Sequence, residues 1–173
     1  MAFGLYDALI PNFRQVLGST KVLLDKAEAH CAEHDLPHSD LIGARLIENM
    51  QPFAYQVKCT SEHSIGAIRA VRAGVFTPST AYPPDSFAAL HALVDAADTD
   101  LAALTRDEVE SFIGQDMRFE FKSMVIPFTA ENFLLSFAQP NFYFHATTAY
   151  DLLRMKGVPL GKMVFLGRLA IKG

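Results

Sequence analysis

Small and apolar residues recur at helical spacing over roughly residues 4–34. Leu5, Leu9, Phe13, Val16/Leu17, Thr20, Leu23/Leu24 and Ala27 share one face of a 3.6-residue repeat. Pro11 lies inside that run and, lacking an amide donor, predicts a kink or a displaced start. Asp35-Leu36-Pro37-His38-Ser39 breaks the pattern, and Leu41 to Ile47 reads as a short helix or structured connection. A second long helix is predicted from Asn49 as N-cap, through Pro52 in the first turn, to Gly74 as the stop. Its stripe is Phe53, Val57, Thr60, Ser64, Ala67 and Val71, flanked by Gln56 and Ile68. Three prolines mark Thr77 to Pro84 as a loop. Asp85 or Ser86 then caps a third helix with Phe87, Leu90, Leu93/Val94, Ala97, Leu101 and Leu104 facing inward.

At Asp116 the period changes. Met117, Phe119 and Phe121 alternate with Arg118, Glu120 and Lys122, as on a half-buried strand, and Met124-Val125-Ile126 is its expected hairpin partner. Thr129 caps the fourth helix with Glu131 in its first turn, Pro140 demands a kink or local rearrangement, and Gly157 and Pro159 end it. A short apolar tail follows. These elements predict an all-α fold, a four-helix bundle with a small β-hairpin before the last helix, formed by residues 1–173 as one domain.

The most informative stretch is Asn141 to Arg154, aromatic almost all round yet carrying an Asn and a His one turn apart. Leu134, Phe137, Asn141, Phe144/His145, Thr148, Leu152 and Met155 form a seam facing the core, in which polar groups need partners. The plain reading of His145 is a core histidine bonded to Gln56, Asn141 or water. A second reading is a small-ligand pocket built on His145, Asn141, Gln56 and Tyr150, and a third is a bound metal with His145 as its ligand. A purely structural bundle would fill the seam with Phe137, Phe144 and Leu152. His30, His34 and His38 form another cluster. Because they sit where the first helix is expected to fray among Glu28, Glu33 and Asp35, solvated charge is the expectation there. His63 beside Glu62 reads as a surface pair.

Composition narrows the classes. In 173 residues, 50% are hydrophobic and 20% charged with a net charge of −4, which suits a globular chain and gives nucleic acid no basic stripe to bind. No apolar run reaches the roughly 18 residues of a membrane span, and the N-terminus has no basic region of a secretory signal. Cys31 and Cys59, without zinc-ligand spacing, read as reduced thiols of a cytoplasmic protein. There is no nucleophile elbow, phosphate-cradling loop or dinucleotide fingerprint.

Four stretches carry a resemblance: Leu23-Leu24-Asp25-Lys26-Ala27-Glu28-Ala29-His30, Met50 to Val57 around Pro52 and Gln56, Phe128-Thr129-Ala130-Glu131-Asn132, and Pro140 to Asp151. With the order of elements, they resemble a bacterial and fungal domain-of-unknown-function branch of the DinB/YfiT-like four-helix bundle superfamily, over nearly the whole chain. The resemblance implies a four-helix fold, a homodimer, and a divalent metal held by one histidine of the second helix and an HxxxH pair of the last. Where that pattern wants HxxxH this chain has Asn141 and His145, and near the second-helix ligand it has Gln56, with His63 two turns on. An imidazole with two neutral amides is a poor first shell for zinc or nickel, so no cofactor is expected. The chain therefore reads as a bundle that has lost the three-histidine metal site, a small-ligand-binding or structural dimer. The alternative is a metal-dependent hydrolase or thiol transferase with a remodelled site around His145. The apolar tail Met163-Val164-Phe165-Leu166 adds to the expectation of a dimer.

Overall fold

A computed structural model describes residues 3–172. Helix α1 (Leu5–Glu33) runs unbroken past Pro11, which sits on its exposed side where the missing amide leaves a carbonyl open to water. Its N-terminus is closed from another part of the chain. The Glu110 carboxylate of α6 (Arg106–Glu110) accepts the Leu5 and Tyr6 amides, each at 3.0 Å, while Asp7 accepts the Gly4 amide and pairs with Arg106. Gly4 makes room for this, since a Cβ there would fall 2.1 Å from Glu110 Oε1. The far end does not fray: His30 is buried, and His34 Nδ1 lies 3.0 Å from the His30 carbonyl. The expectation of a solvated cluster fails for His30, which packs into the last turn with Cys31, while His34 and His38 are exposed as expected.

After the single turn α2 (Ser39–Ile42), the predicted second long helix is two, α3 (Phe53–Glu62) and α4 (Ile65–Ala73), with Pro52 rather than Asn49 as N-cap. Ser64 makes the break by turning its Oγ back to the Thr60 carbonyl at 2.6 Å. Gly74 ends α4 at φ 73° and leads into a strand too short for periodicity to show, β1 (Val75–Phe76). Ser86 caps α5 (Phe87–Ala102) by accepting the Ala89 amide.

The hairpin forms as expected, β2 (Asp116–Phe121) against β3 (Met124–Thr129), with Lys122 taking the left-handed conformation (φ 53°) that glycine or asparagine would favour. Parallel pairing of β1 on β2 completes a sheet of order β1-β2-β3. The Arg118 amide points to Gly74 on the β1 side, so its partner Pro127 turns its own nitrogen outward, where no ladder bond is lost.

Pro140 receives its rearrangement. One turn, α7 (Ala130–Asn132), opens into a wide π-turn (Phe133–Ala138) before α8 (Gln139–Met155), and the Gln139 amide reaches back five residues to the Leu134 carbonyl. Gly157 (φ 87°) closes α8 with bonds from its own amide to Arg154 and from Val158 to Leu153, a Schellman ending. The tail forms α9 (Lys162–Leu166) against α1, tied by Gln15 Nε2 to the Leu166 carbonyl at 2.7 Å.

The buried apolar residues form one continuous cluster, and α3 lies near its centre, against α8 on one side and α5 on the other. The fold is thus an α-dominated bundle with a small sheet. Replacing Glu110 with alanine is expected to cost about 1 kcal/mol, the worth of a helix cap. It should also speed hydrogen exchange at Leu5 and Tyr6 ahead of the core; unchanged urea stability and exchange would deny Glu110 that role.

Candidate functional site

Helix α3 is almost wholly buried, yet Gln56, Lys58, Thr60, Ser61, His63 and Ser64 in and just after it are polar. Most are satisfied locally. Thr60 donates to the Val57 carbonyl, and Lys58 Nζ reaches the Ala81 carbonyl at 2.7 Å and Glu62 Oε1 at 3.1 Å. Lys58 thereby ties the proline-rich loop to the bundle.

Gln56, 2% exposed, joins α3 to α8. Its Nε2 donates to the Gln51 carbonyl at 2.9 Å, and its Oε1 lies 2.7 Å from His145 Nδ1. A backbone carbonyl only accepts, so the amide nitrogen must face Gln51 and the amide oxygen His145. His145 therefore donates from Nδ1, and Nε2 is left as the acceptor of the ring. The polarity of the relay, from His145 through Gln56 to Gln51, follows from that one carbonyl.

The second imidazole is His63, at the α3–α4 break and two helical turns from Gln56. It is 7% exposed, and its ring lies nearly parallel to that of His145, 8° apart with centroids 5.5 Å distant. Phe137 of the π-turn and Phe76 of β1 pack on it from other directions. His63 Nδ1 has no hydrogen-bond partner among the described residues. The reading of His63 as a surface pair with Glu62 is corrected: Glu62 turns to Lys58, and His63 turns inward. Its i, i+7 relation to Gln56 was the signal that placed both on one face.

The other expected site residues lie apart. Asn141 donates its amide to the Phe137 carbonyl at 2.7 Å, and Tyr150 packs edge-on against Phe165 of the tail. The seam is not filled as drawn either. Phe137 and Leu152 pack inward, but Phe144 is 56% exposed beside His145, because the π-turn shifts the face that α8 presents. His145 itself is half-buried, with Tyr55 edge-on to it at 6.2 Å.

Desolvation keeps the two imidazoles, the Cys59 thiol and the Tyr55 hydroxyl neutral. Burial pushes His145 down to about 4, and burial with the neighbouring His145 ring pushes His63 down to about 3. Burial, reinforced by the Glu62 carboxylate, raises the Cys59 thiol to about 12, far from a nucleophilic thiolate. Burial also holds the Tyr55 hydroxyl up at about 12. The result is an uncharged acceptor site with aromatic walls.

A three-histidine metal centre does not fit these residues. The Gln56 oxygen is committed to His145 and the Asn141 amide to Phe137. Among the described residues no three His, Cys, Asp or Glu side chains come together as a ligand group. Two imidazoles fall short of the three protein ligands usual in catalytic zinc sites.

The family model described as a domain of unknown function (DUF1993) matches residues 5–166. The chain is also similar to a DinB family member protein from Shewanella denitrificans of known crystal structure, with a TM-score of 0.81 and 23% identity over 98% of this chain and 95% of that one. No curated protein matches. Among the described residues, no helix is long and apolar enough to cross a membrane.

Unfolded histidines titrate near 6.5, so below that pH the unfolded chain binds protons that folded His63 and His145 refuse. Stability present above pH 6.5 is therefore lost as pH falls toward the folded values. The urea midpoint is expected to drop from pH 7 to about 5, and to drop less steeply in His63→Phe. Equal slopes in the two proteins would mean that His63 is not buried in its neutral form.

Proposed function

The chain belongs to the DUF1993 family, a domain of unknown function on a DinB-like fold, and on that premise we propose that it is a small-ligand-binding protein without the three-histidine metal centre. Its site is the relay Gln51–Gln56–His145 with His63 behind it. The observation that carries this reading is the fixed tautomer of His145. Gln56 holds Nδ1 as the donor, so Nε2 is presented as a hydrogen-bond acceptor in a neutral, half-buried setting. Such a group suits an uncharged ligand with an O–H or N–H donor and a flat apolar body, packed against the exposed Phe144 ring and Tyr55. We read residues 1–173 as one domain, acting in the cytoplasm as a homodimer.

The test is made on protein purified without a histidine tag. Metal content is measured by mass spectrometry before and after incubation with zinc, nickel and manganese, and phenol and anisole are compared by thermal shift. Sub-stoichiometric metal is expected, with stabilisation by phenol that anisole fails to match and that His145→Ala abolishes. Near-stoichiometric metal that disappears in His145→Ala would replace this reading with a metal-dependent hydrolase or transferase. Equal response to both probes would remove the acceptor role of His145. In Gln56→Leu, the imidazole nitrogen resonances of His145 should show both tautomers; a single unchanged tautomer would remove Gln56 from the relay.

A further inference from the structure

Between the buried Ala44 and Phe53, every residue of the connection from α2 to α3 is exposed or half-buried, so side-chain packing does not hold this loop. Backbone bonds and one arginine do. The Phe53 amide donates to the Ala44 carbonyl at 2.8 Å and closes the loop at its base, and the Met50 amide donates to the Ile47 carbonyl at 3.0 Å. Across the loop, Arg45 Nη1 donates to the Met50 carbonyl. That bond holds the peptide unit leading into Gln51. Pro52 restricts the same residue from the other side, because a residue before proline is pushed toward extended backbone. The direction of the Gln51 carbonyl is thus set from both sides, and this is the carbonyl that accepts from Gln56 Nε2.

Three hydrogen bonds, joined through the Met50–Gln51 peptide, therefore connect an exposed arginine to the His145 imidazole. We propose that the loop of residues 45–51 decides which hydrogen-bonding role His145 presents to a ligand, with Arg45 as the positioning residue. The role assigned to Arg45 rests on the reading of His145 as the acceptor of the site. While the Gln51 carbonyl faces Gln56, one orientation of that amide satisfies both neighbours, and His145 keeps its proton on Nδ1. Once the loop lets that carbonyl turn away, the Gln56 amide is free to flip. Its nitrogen then donates to Nδ1, which has given its proton to water while Nε2 has taken one up, so the ring stays neutral. The site now offers a donor in place of an acceptor. Its ligand class changes with it, from molecules carrying an O–H or N–H to carbonyl compounds. Selectivity is in this way set by a residue that acts through two others.

The full chain, labelled with nitrogen-15 in its histidines, is read by long-range proton–nitrogen NMR at about pH 8, above the range in which an imidazole takes a second proton. In the wild-type protein the His145 Nε2 resonance is expected at the position of a bare nitrogen. Arg45→Met changes an exposed residue and keeps its stem, and Pro52→Ala frees the Gln51 backbone. In both, that resonance should shift toward the protonated position, with Arg45→Lys falling between. The His34 ring, whose Nδ1 is held by the carbonyl of its own helix, should not move. By thermal shift, phenol should stabilise the two variants less than the wild type, and acetophenone, which has a carbonyl and no donor, should stabilise them more. An Nε2 resonance unchanged in both Arg45→Met and Pro52→Ala, while Gln56→Leu moves it, overturns the proposal. So does an equal movement of His34, which would mean a general loosening of the chain. A wild-type protein silent to phenol, with its tautomer still following Arg45, would remove the ligand reading alone and leave the loop in control of His145.

Discussion

Water is almost wholly excluded from α3, yet α3 and the break after it carry a run of polar side chains, and most of this structure is the set of partners they require. An unpaired buried polar group costs roughly 1–3 kcal/mol, so each one that is satisfied also fixes a neighbour. Lys58 fixes the Ser79–Ala81 segment, Gln56 fixes His145, and Ser64 turns back on Thr60 and breaks the helix. A bundle that needed only a core would have spent these positions on leucine and alanine. The two groups left over, His63 Nδ1 and Ser61 Oγ, lie on opposite sides of the same element.

The second organising constraint is the amide that Pro140 lacks. Widening the helix over Phe133–Ala138 puts the turn where Leu135 and Ser136 face solvent and their carbonyls can bond to water. The same widening sets Phe137 among His63, Phe76, Phe119, Phe128 and Phe133, which links α8 to both the sheet and the α3–α4 break. It also rotates the following residues, so that Phe144 reaches solvent and His145 meets Gln56. A local backbone defect and the geometry of the site are therefore one feature.

Much of the architecture was legible in the chain because its punctuation is strong. Gly74, Gly157, Ser86 and the Thr77–Pro84 loop bound elements where they were expected, and the alternation from Asp116 onward marked the hairpin. Two-residue β1 and five-residue α6 are too short for any periodicity to reveal. The α3–α4 break carries no proline, and Gly66 follows it, because a serine side chain and tertiary packing make it. The site was read in half. Gln56 and His145 follow from a resemblance and a shared stripe, but a polar helix reads as a wet one, which sent His63 to the surface. Asn141 was drawn beside His145 by ideal helical spacing, whereas the nearer Phe137 carbonyl takes its amide.

Pro127 bears on how copies of this protein can meet. β3 is an edge of the sheet, with Met124, Val125 and Ile126 exposed, and such an edge ordinarily invites a neighbour's strand. By facing its donorless nitrogen outward, Pro127 removes the central rung from any ladder built there. This edge of the sheet is thereby a poor template for a neighbouring strand, although its exposed side chains are apolar.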